Sequence, residues 1–120
     1  MKALAIALVL FLLIITIVVL NAIFVERTII QAQELSITIL KNDKASLSVD
    51  KLWDFWQDRS RLLSLSVSKR EIDAATENLL LFKTAYSEGN TYLSKQYCNM
   101  FCKLLEDILR YEKISISSLF

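Results

Sequence analysis

Cys98 and Cys102 are the two residues whose type and spacing come closest to a chemical site. A separation of four places both thiols on one face of a helix, where they could contribute to a soft-metal site or a redox pair. Their α-carbons would lie about 6 Å apart, which is within disulfide range, but the parallel side chains would strain the bond. The alternative, which we favour, is that both thiols are small apolar groups that fill space beside Met100 and Phe101.

Histidine is absent from the sequence, and this removes several kinds of site. A Ser-His-Asp or Cys-His catalytic arrangement is impossible within one chain, and so is a zinc site containing histidine. A metal held by the two thiols would have to recruit carboxylates. Acid–base catalysis near neutral pH would need a carboxylate or a lysine with a shifted pKa. The sequence also lacks a glycine-rich phosphate loop and a nucleophile elbow. We therefore predict a protein that is not an enzyme and has no catalytic, cofactor-binding or metal-binding residues.

Three acidic residues, Asp50, Asp54 and Asp58, recur at every fourth position and raise the question of a divalent cation. Carboxylates that bind hard cations usually come from a tight loop that contains glycine. These three instead fall on a helical stretch that Lys51 and Arg59 interrupt. We predict that they form a solvated helix face.

The aromatic cluster Trp53, Phe55 and Trp56 has two possible roles. An exposed cluster would anchor a partner or the membrane interface. The helical spacing instead favours Trp56 in the core and Trp53 at its margin, because each ring carries a large apolar area. We predict packing inside or beside the core.

The stretch from Ala3 to Val25 is almost entirely apolar, because only Thr16 and Asn21 carry polar side chains within it. If it spans a membrane, all the residues discussed above are held at the membrane surface. As a helix of about 23 residues it is roughly 34 Å long, enough to cross a hydrocarbon core of about 30 Å. Soluble core helices are rarely so long without a polar face. We predict a transmembrane signal-anchor over residues 1–25, which binds the lipid bilayer from Ala3 to Val25.

A cleaved signal peptide is the alternative for this stretch. Its apolar region usually covers about 7–15 residues and ends at small residues in an A-x-A pattern. Here the run is longer, and Leu20 stands where a small residue is needed. The charges beside the span hardly differ, with Lys2 before it and Glu26 and Arg27 after it. Because the chain start is short and positive, we predict a single-pass cell-membrane protein with an extracytoplasmic C-terminal domain.

The part after the anchor is electrically neutral. Lys2 is the only charged side chain before Glu26, so of 14 basic and 13 acidic residues in the chain this part keeps 13 of each. A neutral domain lacks the basic patch that nucleic-acid binding requires. Proline is absent and Gly89 is the only glycine, which favours helices with short polar links over a sheet. No nucleic-acid partner is predicted.

Helical periodicity follows the anchor. Residues 26–42 predict an amphipathic stalk helix and a link, with a face made of Ile30, Gln33, Ile37 and Leu40. Asn42 or Asp43 would cap the second helix, expected over residues 45–66. The apolar face of that helix comprises Leu52, Phe55, Trp56 and Leu63.

The third helix is predicted to begin at Lys69, because Ser68 and Glu71 fit a capping box. Its seam comprises Ile72, Ala75, Leu79, Phe82 and Tyr86. Gly89 would end it in the left-handed conformation, and Asn90 would cap the fourth helix.

The fourth helix has a broad apolar face formed by Leu93, Tyr97, Met100, Phe101, Leu104, Ile108 and Tyr111. Glu106 and Arg110 are expected to pair on its outside. The tail, residues 114–120, is expected to dock as a short turn.

Together these elements predict an all-α chain, with a transmembrane helix followed by a small antiparallel bundle of three to four helices over residues 43–120. A faint duplication aligns Leu40 with Tyr86 and Phe55 with Phe101. If the duplication is real, the bundle would consist of paired helical hairpins, as in tetratricopeptide-like arrays.

The chain resembles a family of small bacterial membrane proteins, a domain of unknown function found mainly in spore-forming Gram-positive bacteria. The resemblance rests on the anchor, Trp56 before the run Leu62 to Leu65, Glu71 to Asp73, the seam ending at Tyr86, and the closing residues 115–120. It implies an anchored all-helical domain and no activity. Members usually carry a histidine before the third helix, where this chain has Ser66 to Lys69, so no role of that histidine transfers.

These observations favour an interaction or accessory module, held at the membrane, that binds another membrane or envelope protein. The broad apolar face of the last helix could also support a homodimer. The alternative is a ligand- or metal-sensing domain that uses Cys98 and Cys102.

Overall fold

The computed structural model describes residues 1–41 and 46–119, and this part of the chain forms four α-helices and no strand. The helices are α1 (Lys2–Lys41), α2 (Ser46–Leu63), α3 (Lys69–Ser87) and α4 (Thr91–Leu119). The all-α prediction, with a long apolar first helix and a bundle after it, is confirmed. The link that contains Asn42 and Asp43, with the cap expected there, lies outside the described residues.

Helix α1 is one unbroken rod of 40 residues. Neither glycine nor proline interrupts it, and at 1.5 Å per residue it is about 60 Å long. It therefore accounts for most of the 67 Å long axis of the molecule, whose other two dimensions are 23 and 20 Å. The first turns of this helix are exposed, whereas its second half packs inside the bundle.

The segment predicted as a stalk is thus a helix of the bundle itself. Its buried residues are Val25, Thr28, Ile29, Ala32, Ser36 and Ile39. The predicted apolar face was wrong for Ile30 and Ile37, which are exposed, whereas Gln33 and Leu40 are half-buried. The buried face lies about one residue earlier in the helical cycle, because the small side chains of Ala32 and Ser36 allow close approach of a neighbouring helix.

The four helices form a closed ring, in which each packs on the helix before it and α4 closes against α1. In stacked hairpins α1 would pack against α3. Within the described residues these two helices do not pack against each other, so the tetratricopeptide-like arrangement was wrong. The centre of the ring is filled by large side chains. Trp56 of α2 meets Phe101 of α4 edge to face, with ring centroids 5.4 Å apart.

The two described links confirm most of the predicted end signals. Helix α3 begins at Lys69, but the Ser68 hydroxyl makes no capping hydrogen bond, so the capping box is not formed. Gly89 adopts φ +73°, as predicted. The Asn90 side-chain oxygen accepts a 3.1 Å hydrogen bond from the Leu93 amide, which confirms the cap of α4.

The end of α2 and the buried face of α4 differ from the prediction at several residues. Helix α2 ends at Leu63, three residues before its predicted end, and α4 continues as helix to residue 119 where a docked turn was expected. Met100 and Tyr111 are exposed, while Leu105, omitted from the predicted face, is fully buried. Arg110 pairs with Asp107 at 3.1 Å instead of with Glu106.

Candidate functional site

The two cysteines lie on the buried side of α4, where it packs against α1. Cys98 is buried and Cys102 is half-buried. The Cys98 thiol donates a 3.6 Å hydrogen bond to the Ser36 carbonyl oxygen. The Gln33 side-chain amide donates a 3.2 Å hydrogen bond to the Cys102 carbonyl oxygen. These contacts fix an antiparallel register between α1 and α4, so the cysteine pair marks the place where the ring closes.

The thiols influence each other's protonation. A hydrogen bond with Cys102, followed by burial, raises the pKa of Cys98 far above its ordinary value. The neighbouring Cys98 thiol lowers the pKa of Cys102, while burial opposes that shift and Ser36 assists it. The pair therefore releases its first proton from Cys102, and Cys98 keeps its proton.

The surroundings of the two cysteines limit which reactions and ligands are open to them. Among the described residues no group of three or more His, Cys, Asp or Glu side chains is placed to hold a metal ion. Cys98 is 1% exposed, so reagents and ions do not reach it without an opening of the bundle. The prediction of space-filling thiols is correct for Cys98, but Met100, expected beside it, points to the outside.

The aspartates of α2 lie on its solvent side, as predicted. Asp50, Asp54 and Asp58 are all exposed. Asp50 approaches Lys83 of α3 at 3.7 Å, and the same ammonium lies 5.2 Å from the centre of the Trp53 ring. These exposed contacts are worth little energetically, and they give no geometry for a cation.

The tryptophans divide as predicted. Trp56 is completely buried, and its indole N–H donates a 2.7 Å hydrogen bond to the Thr76 hydroxyl. That hydroxyl donates in turn to the Ile72 carbonyl oxygen at 2.8 Å. Trp53 is half-buried at the edge of the core. The pair is therefore structural, and Trp56 sets the register of α2 on α3.

The apolar half of α1 is the largest exposed feature of the molecule. One helix in the described residues, α1, is long and apolar enough to cross a membrane, and its most apolar stretch of 18 residues has no buried residue. Side-chain exposure is 76% at Leu4, 59% at Phe11 and still 42% at Ile23. The hydroxyl of Thr16 donates to the Leu12 carbonyl oxygen at 2.8 Å, so this polar side chain is satisfied within the helix.

The junction between this exposed half and the bundle is built around Arg59. Its guanidinium carbon lies 5.9 Å from the Phe24 ring centre and 5.4 Å from that of Phe55. The charge thus sits over two aromatic faces where α2 meets the end of the apolar stretch.

Sequence reasoning missed the contacts between helices that are made by Gln33, Ser36, Arg59 and Thr76. Only the 3–4 spacing of Val25, Ile29, Ala32, Ser36 and Ile39 could have pointed to the α1 contacts. Comparison with protein-family models, curated proteins and solved structures finds no match to the chain. The likeness to the family of small membrane proteins therefore remains a resemblance.

Proposed function

We propose that this chain is a single-pass cell-membrane protein whose helical bundle binds another membrane or envelope protein. The observation that carries the proposal is the continuity of α1 between its exposed apolar half and its buried half. A flexible linker would let a domain sample many orientations. A helix shared by anchor and core instead presents the same faces of the bundle at a fixed height above the bilayer, as an interaction module requires.

The surface best suited to a protein partner is the outer side of α3 and α4. A shallow groove there is lined by Asn78, Gln96, Tyr97, Asn99, Met100 and Lys103. Met100 is 46% exposed, and Leu81 and Tyr92 add further exposed apolar area on the same two helices. Because neutral and apolar groups predominate over charge, we propose a protein surface as the ligand of this face.

A homodimer has less support than the sequence alone gave it. Phe101, Leu105 and Ile108 belong to the core of the single chain. They are therefore not available to a second copy. On the bundle, a homodimer would use the same outer face, with Met100 near its centre.

Site-specific photo-cross-linking in intact cells tests the proposal. A benzophenone amino acid at Met100 should give a discrete adduct with a partner, while the same group at the exposed Asp54 of α2 should give little. Recovery of only the monomer from Met100, Leu81 and Tyr92 alike would contradict the proposal. An adduct of twice the chain mass that contains only this chain would assign the homodimer as the partner.

The placement of the bundle outside the cytoplasm is tested separately. Protease added to wall-stripped cells should remove an epitope placed after Phe120, whereas an internal bundle would keep it until lysis. An intact epitope released into the medium would mean that residues 3–25 are cleaved off.

A ligand- or metal-sensing role for Cys98 and Cys102 is the second candidate. The position of both thiols one turn apart on the α1-facing side of α4 is the observation in its favour, and the burial of Cys98 weighs against it. Changing both residues to alanine should abolish binding of a thiophilic ion such as Cd²⁺ if the pair is a sensor. Unchanged binding by the double variant would remove this function.

A further inference from the structure

Helix α4 is longer than the ring requires. Its contacts at Ser36–Cys98 and Gln33–Cys102 set an antiparallel register with α1. Continued along both helices, this register places Lys113 level with Asn21 and Ala22. Residue 119 then lies level with Ile15 and Thr16. The last turns of α4 therefore run beside the apolar half of α1, beyond the level at which α3 begins.

Burial on α1 agrees with this overlap. Leu8 and Leu12 are 60% and 54% exposed, as expected for a helix without neighbours. Ile15, Val18 and Ala22 are half-buried, and they continue the 3–4 spacing of the buried face that begins at Val25. The face that α1 turns toward α4 inside the bundle is therefore also partly covered between Ile15 and Ala22, within the apolar stretch.

Charge ends abruptly on α4 at the same level. Glu112 and Lys113 are its last charged side chains, and residues 114–119 contain only isoleucine, serine and leucine. Tyr111, 60% exposed, stands one residue before this boundary, and Ile114, 57% exposed, one residue after it. Tyrosine and lysine followed by apolar residues are the usual order at the edge of a bilayer. Glu112 is half-buried at this edge, and this burial raises its pKa.

Length decides where the end of α4 lies. If the end of α4 remained in water, the membrane could cover α1 only from Ala3 to about residue 14. These roughly 12 residues would span about 18 Å. A hydrocarbon core is about 30 Å thick, so such a span would be too short. With the boundary at about residue 22, the span is roughly 30 Å and matches.

We propose that residues 114–119 of α4 lie within the lipid bilayer beside α1, so that the chain meets the membrane through two helices. This inference rests on the proposed membrane anchor. The ligand of the segment is the acyl-chain region of the bilayer, and the level of Tyr111 to Lys113 marks the lipid–water boundary.

Thiol reactivity in proteoliposomes tests this placement. In a chain with Cys98 and Cys102 changed to alanine, single cysteines are introduced by Ser117→Cys, Asn99→Cys and Leu8→Cys. All three positions are exposed in the structure, so burial in protein does not separate them. N-ethylmaleimide crosses membranes but needs a thiolate, which does not form in hydrocarbon. Its reaction is therefore independent of the orientation of the chain.

Ser117→Cys is expected to react at least about tenfold more slowly than Asn99→Cys, and to become fully reactive in denaturant. Equal rates at these two positions with a protected Leu8→Cys would overturn the proposal while leaving the anchor intact. A reactive Leu8→Cys would instead overturn the anchor.

A second comparison keeps both native cysteines, in case the alanine background does not fold. Ser117→Lys should lower the melting temperature in proteoliposomes, because a charge in the bilayer is costly. Asn99→Lys, on the water-exposed part of the same helix, should not lower it. Equal melting temperatures of these two variants would likewise reject the placement.

Discussion

Trp56→Phe removes one hydrogen bond from the centre of the bundle and tests how the core is held together. The lost bond is the 2.7 Å contact from the indole N–H to the Thr76 hydroxyl. A hydrogen bond of this kind contributes about 1 kcal/mol. The Thr76 hydroxyl keeps its own acceptor, the Ile72 carbonyl oxygen, so the substitution leaves no buried donor without a partner.

The smaller ring also leaves space, because Trp56 is completely buried against Phe101. Replacing indole by phenyl removes roughly 40 Å³, and at about 24 cal/mol per Å³ of cavity this costs about 1 kcal/mol. Lost transfer energy adds to it. The free energy of unfolding should therefore fall by roughly 2–3 kcal/mol.

The matched control is Trp53→Phe on the same helix. Trp53 is half-buried, and the Lys83 ammonium lies 5.2 Å from the centre of its ring. This substitution should cost less than about 1 kcal/mol. Urea unfolding of the full chain in mild detergent, followed by circular dichroism, measures both values.

A double-mutant cycle isolates the hydrogen bond from the cavity. Trp56→Phe and Thr76→Val, alone and combined, should give a coupling energy of about 1 kcal/mol. Equal costs for Trp56→Phe and Trp53→Phe, or a coupling energy near zero, would refute the placement of Trp56 as the hydrogen-bonded centre of the core.

Three further predictions concern pH and helix ends. Because burial raises the pKa of Glu112 above 4.5, the folded state holds this proton more tightly than the unfolded chain, and the contribution of Glu112 to stability falls as pH rises above 4.5. Glu112→Gln should therefore raise the melting temperature near neutral pH but not below about pH 4; a constant difference across that range would contradict it. Asn90→Ala should cost about 1 kcal/mol and Ser68→Ala less than about 0.5 kcal/mol, since only Asn90 makes a capping hydrogen bond; chemical denaturation of both variants gives the comparison, and equal losses would count against it. Gly89→Ala should cost about 1 kcal/mol, because φ is +73° although no atom lies within 4 Å of the added methyl group; a neutral result in the same unfolding assay would show that the link relaxes.

Local signals in the sequence predicted local structure well. The start of α3 at Lys69, the left-handed Gly89 and the Asn90 cap each depend on a few adjacent residues. The separation of Trp56 from Trp53 followed from helical spacing alone. Such features are predictable because the chain segment itself contains the whole physical cause.

Features that depend on a distant segment were missed. The buried side of α1 is the side that packs against α2 and α4, where the small Ala32 and Ser36 lie, so the larger Ile30 and Ile37 are turned outward. The Ser68 capping box failed although its residue types fit, since the Glu71 amide donates to the Ser68 carbonyl oxygen at 3.1 Å and the hydroxyl makes no capping hydrogen bond. The extension of α4 to residue 119 could not be read from a serine-containing tail, since its neighbour on α1 lies almost a hundred positions earlier.

The closing contact between α1 and α4 also determines when this protein can fold. Gln33 and Cys102 are 69 positions apart, which a ribosome covers in roughly 3 to 14 s at 5–20 residues per second. Until then Ile29 and Ile39 on α1 lack the helix that completes their burial, while α2 and α3 can already pair locally. Folding is therefore vectorial with a late final step. Truncation within α4 should leave a hairpin docked on an open α1, a state with exposed core residues that quality-control proteases would degrade.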